Sequence, residues 1–130
     1  MEYISDANIY HAVWFNDAKQ NHGVFYANSS NAGESFSQPI EVGQYKNQAS
    51  YADIVTVGNS VYIVWQEIKK SRYQLDIMYS TNNGKSWTYP QLLSTTSKAA
   101  DYPFVLKNNQ HVYVSWHIRG ERYHLIPFNH

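Results

Sequence analysis

Cysteine is absent from this chain of 130 residues, which excludes a disulfide framework and a cysteine-based zinc site. Neither sign of charge dominates, because ten basic and ten acidic residues give a net charge of zero. The sequence therefore lacks the basic stripe of a nucleic-acid-binding protein, and we expect no nucleic-acid partner. No apolar run reaches the length of a membrane span, so we also expect no membrane partner.

Three further patterns are missing. The first six residues do not show the basic and then apolar pattern of a signal peptide, and nothing else in the sequence indicates a compartment. The six histidines are scattered without the spacing of a metal site, so we expect no metal and no cofactor. No segment shows the periodicity of an amphipathic helix.

The chain instead contains an internal repeat of 51 residues. The segment 29–36 (Ser-Ser-Asn-Ala-Gly-Glu-Ser-Phe) returns as 80–87 (Ser-Thr-Asn-Asn-Gly-Lys-Ser-Trp), and Trp14, Trp65 and Trp116 keep the same step. A fixed period of this length indicates a repeat architecture, in which each unit buries its apolar face against a neighbouring unit.

Each unit is predicted to be an antiparallel sheet of short strands joined by tight turns. The run Val61–Trp65 is β-branched and aromatic throughout, as in a strand that is buried on both faces. The other strands of the middle unit are predicted at Tyr51–Val57, Leu75–Tyr79 and Trp87–Leu93.

The outer units follow the same template. In the first unit, a short strand at Tyr3–Ser5 is placed in phase with Ile54–Thr56. Its remaining strands are predicted at Tyr10–Trp14, Val24–Ala27 and Phe36–Val42, and those of the third unit at Pro103–Leu106, Val112–Trp116 and Tyr123–Pro127. We therefore predict an all-β protein with about eleven strands, divided into blade 1 (1–48), blade 2 (49–99) and an incomplete blade 3 (100–130).

The repeated turns resemble the Asp-box, or bacterial neuraminidase repeat, of sialidase-like β-propellers. This chain carries Asn31 and Asn82 where the family usually has Asp, and Phe36 where it usually has Trp. The resemblance implies that the turns join the third and fourth strands of a blade, on the face opposite the catalytic centre. We therefore assign a structural role to Ser29, Asn31, Gly33, Phe36, Ser80, Asn82, Gly84 and Trp87.

Sialidases of this fold, as the resemblance implies, bind the substrate carboxylate with three arginines from different blades and use a Tyr–Glu pair with an Asp acid/base. This chain has only Arg72, Arg119 and Arg122, and the last two are close in sequence. We therefore favour a non-catalytic binding module and assign no catalytic residue. A sialidase-type glycoside hydrolase, as a fragment or assembled across subunits, is the first alternative, and a purely structural assembly unit is the second.

The end of the blades opposite the Asp-box turns is the predicted ligand site, because binding residues concentrate on the loops of a rigid scaffold. Aromatic rings stack on sugar faces and polar groups hydrogen-bond hydroxyls, so a glycan is the favoured ligand, although the tyrosines could equally pack the channel. The candidate residues are Tyr51, Gln66, Glu67, Asp101, Tyr102, His117 and Arg119. The three repeated tryptophans are predicted to be core residues.

Three blades do not close a propeller, which typically has about 4–8 blades. Sialidase-like propellers have six, so two copies of this chain could close a ring and cover both open blade faces. Met1 and the polar end Asn129-His130 are compatible with a short gene, and we therefore expect a homodimer rather than a segment of a longer propeller.

Overall fold

The computed structural model describes residues 2–17 and 22–129 and confirms the predicted all-β class. Its eleven strands form three antiparallel sheets, each of which follows the chain order of its strands. Apart from strands, the chain forms a 3-10 turn at Tyr45–Asn47. No helix in the described part of the chain is long and apolar enough to cross a membrane.

The three sheets are successive blades. Blade 1 contains β1 (Glu2–Ile4), β2 (Tyr10–Asn16), β3 (Gly23–Ser29) and β4 (Ile40–Val42). Blade 2 contains β5 (Ser50–Val57), β6 (Ser60–Lys69), β7 (Arg72–Ser80) and β8 (Gln91–Thr96). Blade 3 contains β9 (Phe104–Asn108), β10 (His111–His117) and β11 (Tyr123–Phe128).

Blade 2 is covered on both faces. Successive side chains of its central strand β6 point alternately into two apolar cores, one on each face. Val61, Ile63 and Trp65 pack against blade 1, while Tyr62 and Val64 pack against blade 3. Successive side chains of a strand point to opposite faces, so an apolar residue at every position is what a doubly covered strand requires. Blade-on-blade packing therefore supplies the core of the molecule.

The fourth strands begin later than predicted. They start at Ile40 and Gln91 rather than at Phe36 and Trp87. Each start directly follows a proline, Pro39 or Pro90, which has no N–H to donate to a sheet.

The phase predicted for the opening strand of blade 1 is wrong by one residue. Tyr3 pairs with His11, whereas a step of 51 residues would pair it with Ala12, as Ile54 pairs with Ile63. The connection between β1 and β2 has one residue more than its counterpart in blade 2. Because side chains alternate, this shift turns Tyr3 toward the two cores and leaves Ile4 exposed.

The tryptophan prediction holds for two blades and fails for the first. Trp65 and Trp116 are both 0% exposed, but Trp14 is 38% exposed. Trp65 packs on blade 1 and Trp116 packs on blade 2, whereas the corresponding face of blade 1 has no preceding blade within the chain. The same residue at the same repeat position is therefore buried only where a neighbouring blade covers it.

Candidate functional site

The two Asp-box turns share one hydrogen-bond network. In the second turn, Ser80 Oγ accepts from Gly84 N–H at 2.8 Å and donates to Asn82 Oδ1 at 2.8 Å. The same Oδ1 accepts from Ser86 N–H at 3.0 Å. The first turn repeats these contacts with Ser29, Asn31, Gly33 and Ser35 at 2.7–3.0 Å. The serine and asparagine oxygens are thus occupied by their own turn.

The aromatic residues that end the two turns differ in their surroundings. Trp87 donates its indole N–H to the Gly84 carbonyl at 3.2 Å and packs edge-on against Tyr26 of blade 1. Phe36, at the equivalent position of blade 1, is exposed. The second turn is therefore part of the contact between blades, and the first turn lies at the open face.

A cleft of about 720 Å³ lies at the opposite end of the blades, where the loops of all three blades meet. The sequence-predicted residues that line it are Tyr51, Gln66, Asp101, Tyr102 and Arg119. Of the three arginines in the chain, Arg72 and Arg122 do not line it. The cleft combines aromatic rings, an amide, a carboxylate and a guanidinium, which suits a polar ligand with apolar faces.

Two stacked tyrosines are the most prominent feature of this cleft. The rings of Tyr51 and Tyr102 lie 4.0 Å apart at 25°, and the residues are 45% and 55% exposed. Tyr51 has a φ of +56°, a conformation that bulky residues rarely adopt, beside a break in the strand register between Ser50 and Asp53. Bulges of this kind redirect side chains and are over-represented beside functional sites.

The ring pair joins two blades that are held together beside it. Val105 N–H of blade 3 donates to the buried Asp53 carboxylate of blade 2 at 3.0 Å. Burial raises the pKa of Asp53, and this backbone hydrogen bond opposes that rise. Asp101 N–H donates to the His117 carbonyl at 2.8 Å, which fixes the loop that carries Tyr102. Hydrogen bonds therefore hold in place the segments that carry the two rings.

His117 supports the cleft from behind. Its Nδ1 lies 2.7 Å from Asp101 Oδ2, and its ring stacks on Tyr123 at 4.5 Å. Gln66 is buried, and its Oε1 accepts from the Trp116 indole N–H at 3.2 Å. Both residues position their neighbours, and the groups left for a ligand are the two tyrosines, Asp101 and Arg119.

A family model for the BNR repeat-like domain matches residues 2–114 of this chain. The chain belongs to the BNR repeat-like family. This confirms the resemblance drawn from the repeated turns, and with the three sheets it gives a propeller-like fold. No curated protein and no solved structure matches the chain.

Two predicted site residues of this BNR repeat-like chain, His117 and Glu67, do not line the cleft. Glu67 is buried between blades 1 and 2, where it accepts hydrogen bonds from the Trp65 indole and the Asn47 amide at 2.6 and 3.1 Å. Trp65 and Glu67 are two positions apart on one strand, so they share a face, while Gln66 points the other way. This alternation would have separated the two neighbours from sequence alone.

Other residues that line the cleft of the BNR repeat-like chain were not predicted from its sequence. Lys46 and Gln48 come from the 3-10 turn and the residue that ends it, and Tyr73 comes from β7. The polar segment after β4 was the only sequence feature that pointed to these residues, because it must connect the two blades across the cleft. It was a weak indication, because this segment has no counterpart in the other blades.

Proposed function

We propose that this BNR repeat-like protein is a non-catalytic binding module that takes a carbohydrate in the cleft at Tyr51 and Tyr102. The observation that carries the proposal is the exposed, stacked tyrosine pair at 4.0 Å. Sugars present apolar faces that stack on aromatic rings and hydroxyls that pair with amide, carboxylate and guanidinium groups. Asp101 and Arg119 provide such groups beside the rings.

The conformation of Tyr51 supports a ligand over simple packing of the channel. A positive φ costs about 1–3 kcal/mol in a non-glycine residue, and such strain clusters at binding sites. Glycine would remove that cost at Tyr51, whose φ is +56°. A tyrosine held there and left half-exposed is therefore better explained by binding than by folding.

The arginines support binding over hydrolysis. A sialidase-type enzyme would need three guanidinium groups that converge on one carboxylate, and Arg119 alone lines the cleft. Arg72 Nε instead donates to Thr95 Oγ1 at 3.2 Å in its own blade. Release of a fluorophore from a sialoside by the purified protein, abolished in Arg119→Ala, would contradict the non-catalytic assignment.

The test of binding is a glycan array followed by calorimetry with the best glycan. We expect Tyr51→Ala and Tyr102→Ala each to weaken binding by about tenfold or more, because each removes one stacking ring. Tyr89→Ala is the matched control, since Tyr89 is 92% exposed and does not line the cleft. Equal affinity in all three variants would contradict the proposal, and an array without a hit would favour a purely structural unit.

The second part of the proposed function is self-association, in which two copies close a six-bladed ring from two sets of three blades. The chain already contains two contacts between blades, one on each face of blade 2. The outer face of blade 3 exposes Phe104, Leu106, Tyr123 and Leu125, and the outer face of blade 1 exposes Trp14. Trp14 is the repeat equivalent of Trp65 and Trp116, each of which docks on the preceding blade.

Sedimentation equilibrium tests this association. We expect the wild-type chain to sediment as a dimer of 15.1 kDa subunits at micromolar concentration, and Leu125→Glu to sediment as a monomer. Tyr89→Glu is the control, because Tyr89 belongs to blade 2, whose faces are covered. A stable wild-type monomer, or a dimer that Leu125→Glu leaves intact, would contradict the proposal.

A further inference from the structure

A second groove, of about 570 Å³, lies between blades 1 and 2 and does not include the tyrosine pair. Ile40, Met78 and Leu92 form part of an apolar wall, and three carboxylates, Glu41, Glu67 and Asp76, also line the groove. The groove therefore combines apolar side chains with carboxylates.

The two buried carboxylates of this groove differ in their partners. Glu67 is 4% exposed and accepts hydrogen bonds from the Trp65 indole and the Asn47 amide. Asp76 is 7% exposed and accepts no hydrogen bond from any residue that the structure describes. The Asp76 carboxylate therefore lines the groove without a protein donor, which leaves its oxygens open to a ligand.

Burial and the nearby Glu67 raise the pKa of Asp76 to about 6, so its carboxylate is mostly ionised at neutral pH. The charged groups that line the groove are Glu41 from β4 and Glu67, Lys69 and Asp76 from blade 2. Lys69 is exposed and forms no ion pair with Asp76, although its charge opposes the rise in pKa. The acidic side of the groove thus carries an uncompensated negative charge.

The other blades show that the fold does not require these acids. The residue opposite the repeated tryptophan is Asp76 in blade 2, but Phe25 in blade 1 and His124 in blade 3. Two residues after that tryptophan stand Asn16, Glu67 and Ile118 in blades 1, 2 and 3. Glu67 hydrogen-bonds Trp65 and Asn47, but Asp76 has no such partner at a position where the other blades carry other residues, which indicates a function beyond folding.

We propose that this groove binds a lysine or arginine side chain of a partner peptide, with Asp76 as the acceptor and the apolar wall against the alkyl stem. A cationic group provides the N–H donors that Asp76 lacks, and lysine and arginine carry it on an apolar stem. A metal ion fits less well, because residues 2–17 and 22–129 contain no group of three or more His, Asp or Glu side chains placed to hold one. Lys69 acts as a weak internal competitor at the rim.

The experiment is an NMR titration of the full chain that follows the Trp65 indole N–H, which is hydrogen-bonded to Glu67. The probes are Nα-acetyl-lysine amide and Nα-acetyl-arginine amide, with Nα-acetyl-norleucine amide as the uncharged analogue. We expect the cationic probes to shift this resonance and norleucine not to do so. Asp76→Asn should weaken binding by about tenfold or more, while Glu34→Gln, an exposed acid outside the groove, should not.

Two further arms separate a cation site from a general structural effect. Wild-type affinity should fall between pH 7.5 and pH 5 as Asp76 is protonated, whereas Asp76→Asn should show no such fall. Lys69→Met should bind the probes more tightly. The proposal is overturned if norleucine binds as well as lysine, if Asp76→Asn retains wild-type affinity, or if calcium chloride shifts the indole and the cationic probes do not. None of these outcomes depends on glycan binding.

Discussion

The two ends of the blades differ in how their polar groups are used. At the Asp-box end, the oxygens of Ser80 and Asn82 are taken up by the backbone of their own turn at 2.8–3.0 Å. At the cleft end, Tyr51 holds an unfavourable φ of +56° and exposes its ring. Polar groups that already hydrogen-bond their own turn are not available to a ligand. The strain and exposure of Tyr51, in contrast, are not explained by the stability of the fold. The Asp-box polar groups thus stabilise their own turns, and we propose that binding belongs to the cleft end.

The largest expected effect is at the Asp-box end. A Cβ at Gly84 would overlap the hydroxyl of Tyr26, which is buried and hydrogen-bonded to His11 and Asn28. Gly84→Val should therefore lower the free energy of unfolding by about 3 kcal/mol or more, as measured by urea denaturation.

Gly120→Val is the matched control for this substitution. Gly120 also has a positive φ, +79°, but a Cβ there would meet nothing within 4 Å. Only backbone strain is then added, and we expect a loss of about 1–2 kcal/mol. Equal losses at the two glycines would contradict the claim that the second Asp-box turn is part of the contact between blades.

The second-largest expected effect is a loss of folding stability in acid, which arises at the Asp-box end. Burial lowers the pKa of His11 to about 4. His11 Nδ1 lies 2.6 Å from Tyr26 Oη, which also accepts from Asn28 Nδ2. His11 Nε2 is buried and has no partner among the described residues, so a protonated His11 would carry an N–H there without an acceptor.

The unfolded state therefore binds more protons than the folded state between about pH 6.5 and pH 4. The contribution of His11 to stability is complete above pH 6.5 and is lost as the pH falls toward 4, with a total on the order of 3 kcal/mol. We expect His11→Asn to remove this slope when unfolding is measured across that range. Asp76 titrates in the opposite direction, with its pKa raised to about 6, so both proteins should carry Asp76→Asn. Parallel pH profiles would contradict the assignment.

The smallest effect on stability is expected at the cleft. Tyr51→Gly relieves the positive φ and should raise the free energy of unfolding by up to about 1 kcal/mol while it weakens glycan binding by about tenfold or more. Tyr102→Gly is the control, because Tyr102 has no positive φ and its loss brings no relief of strain. Thermal melts of the two variants should move in opposite directions. A lower melting temperature in both variants would show that Tyr51 stabilises the fold by packing.

The fold was largely predictable because the repeat and its turns determine where strands begin and end. The eleven predicted strands are present, and the late starts of β4 and β8 follow from the prolines before them. Register was less predictable, since one extra residue before β2 turned Tyr3 inward. Trp14 shows that a repeat predicts equivalence of position but not of burial, because burial depends on a neighbouring blade.

The site was predictable in part. Loop position pointed to Tyr51, Tyr102 and Arg119, because loops of one end must converge in a propeller-like fold. It misplaced Glu67, whose side chain is directed by strand alternation rather than by closeness to the loop. The stacking of Tyr51 on Tyr102 depends on a bulge and a positive φ, and neither leaves a reliable mark in the sequence.

The central claim is that ligand binding belongs to the cleft and not to the Asp-box turns. Its most direct test is an NMR titration of the full chain with the best glycan from the array, following backbone amides at both ends. We predict that the largest shifts occur at Tyr51, Tyr102 and Arg119, with Asn31 and Asn82 unchanged. Shifts concentrated at Asn31 and Asn82, with the two tyrosines unmoved, would contradict the account.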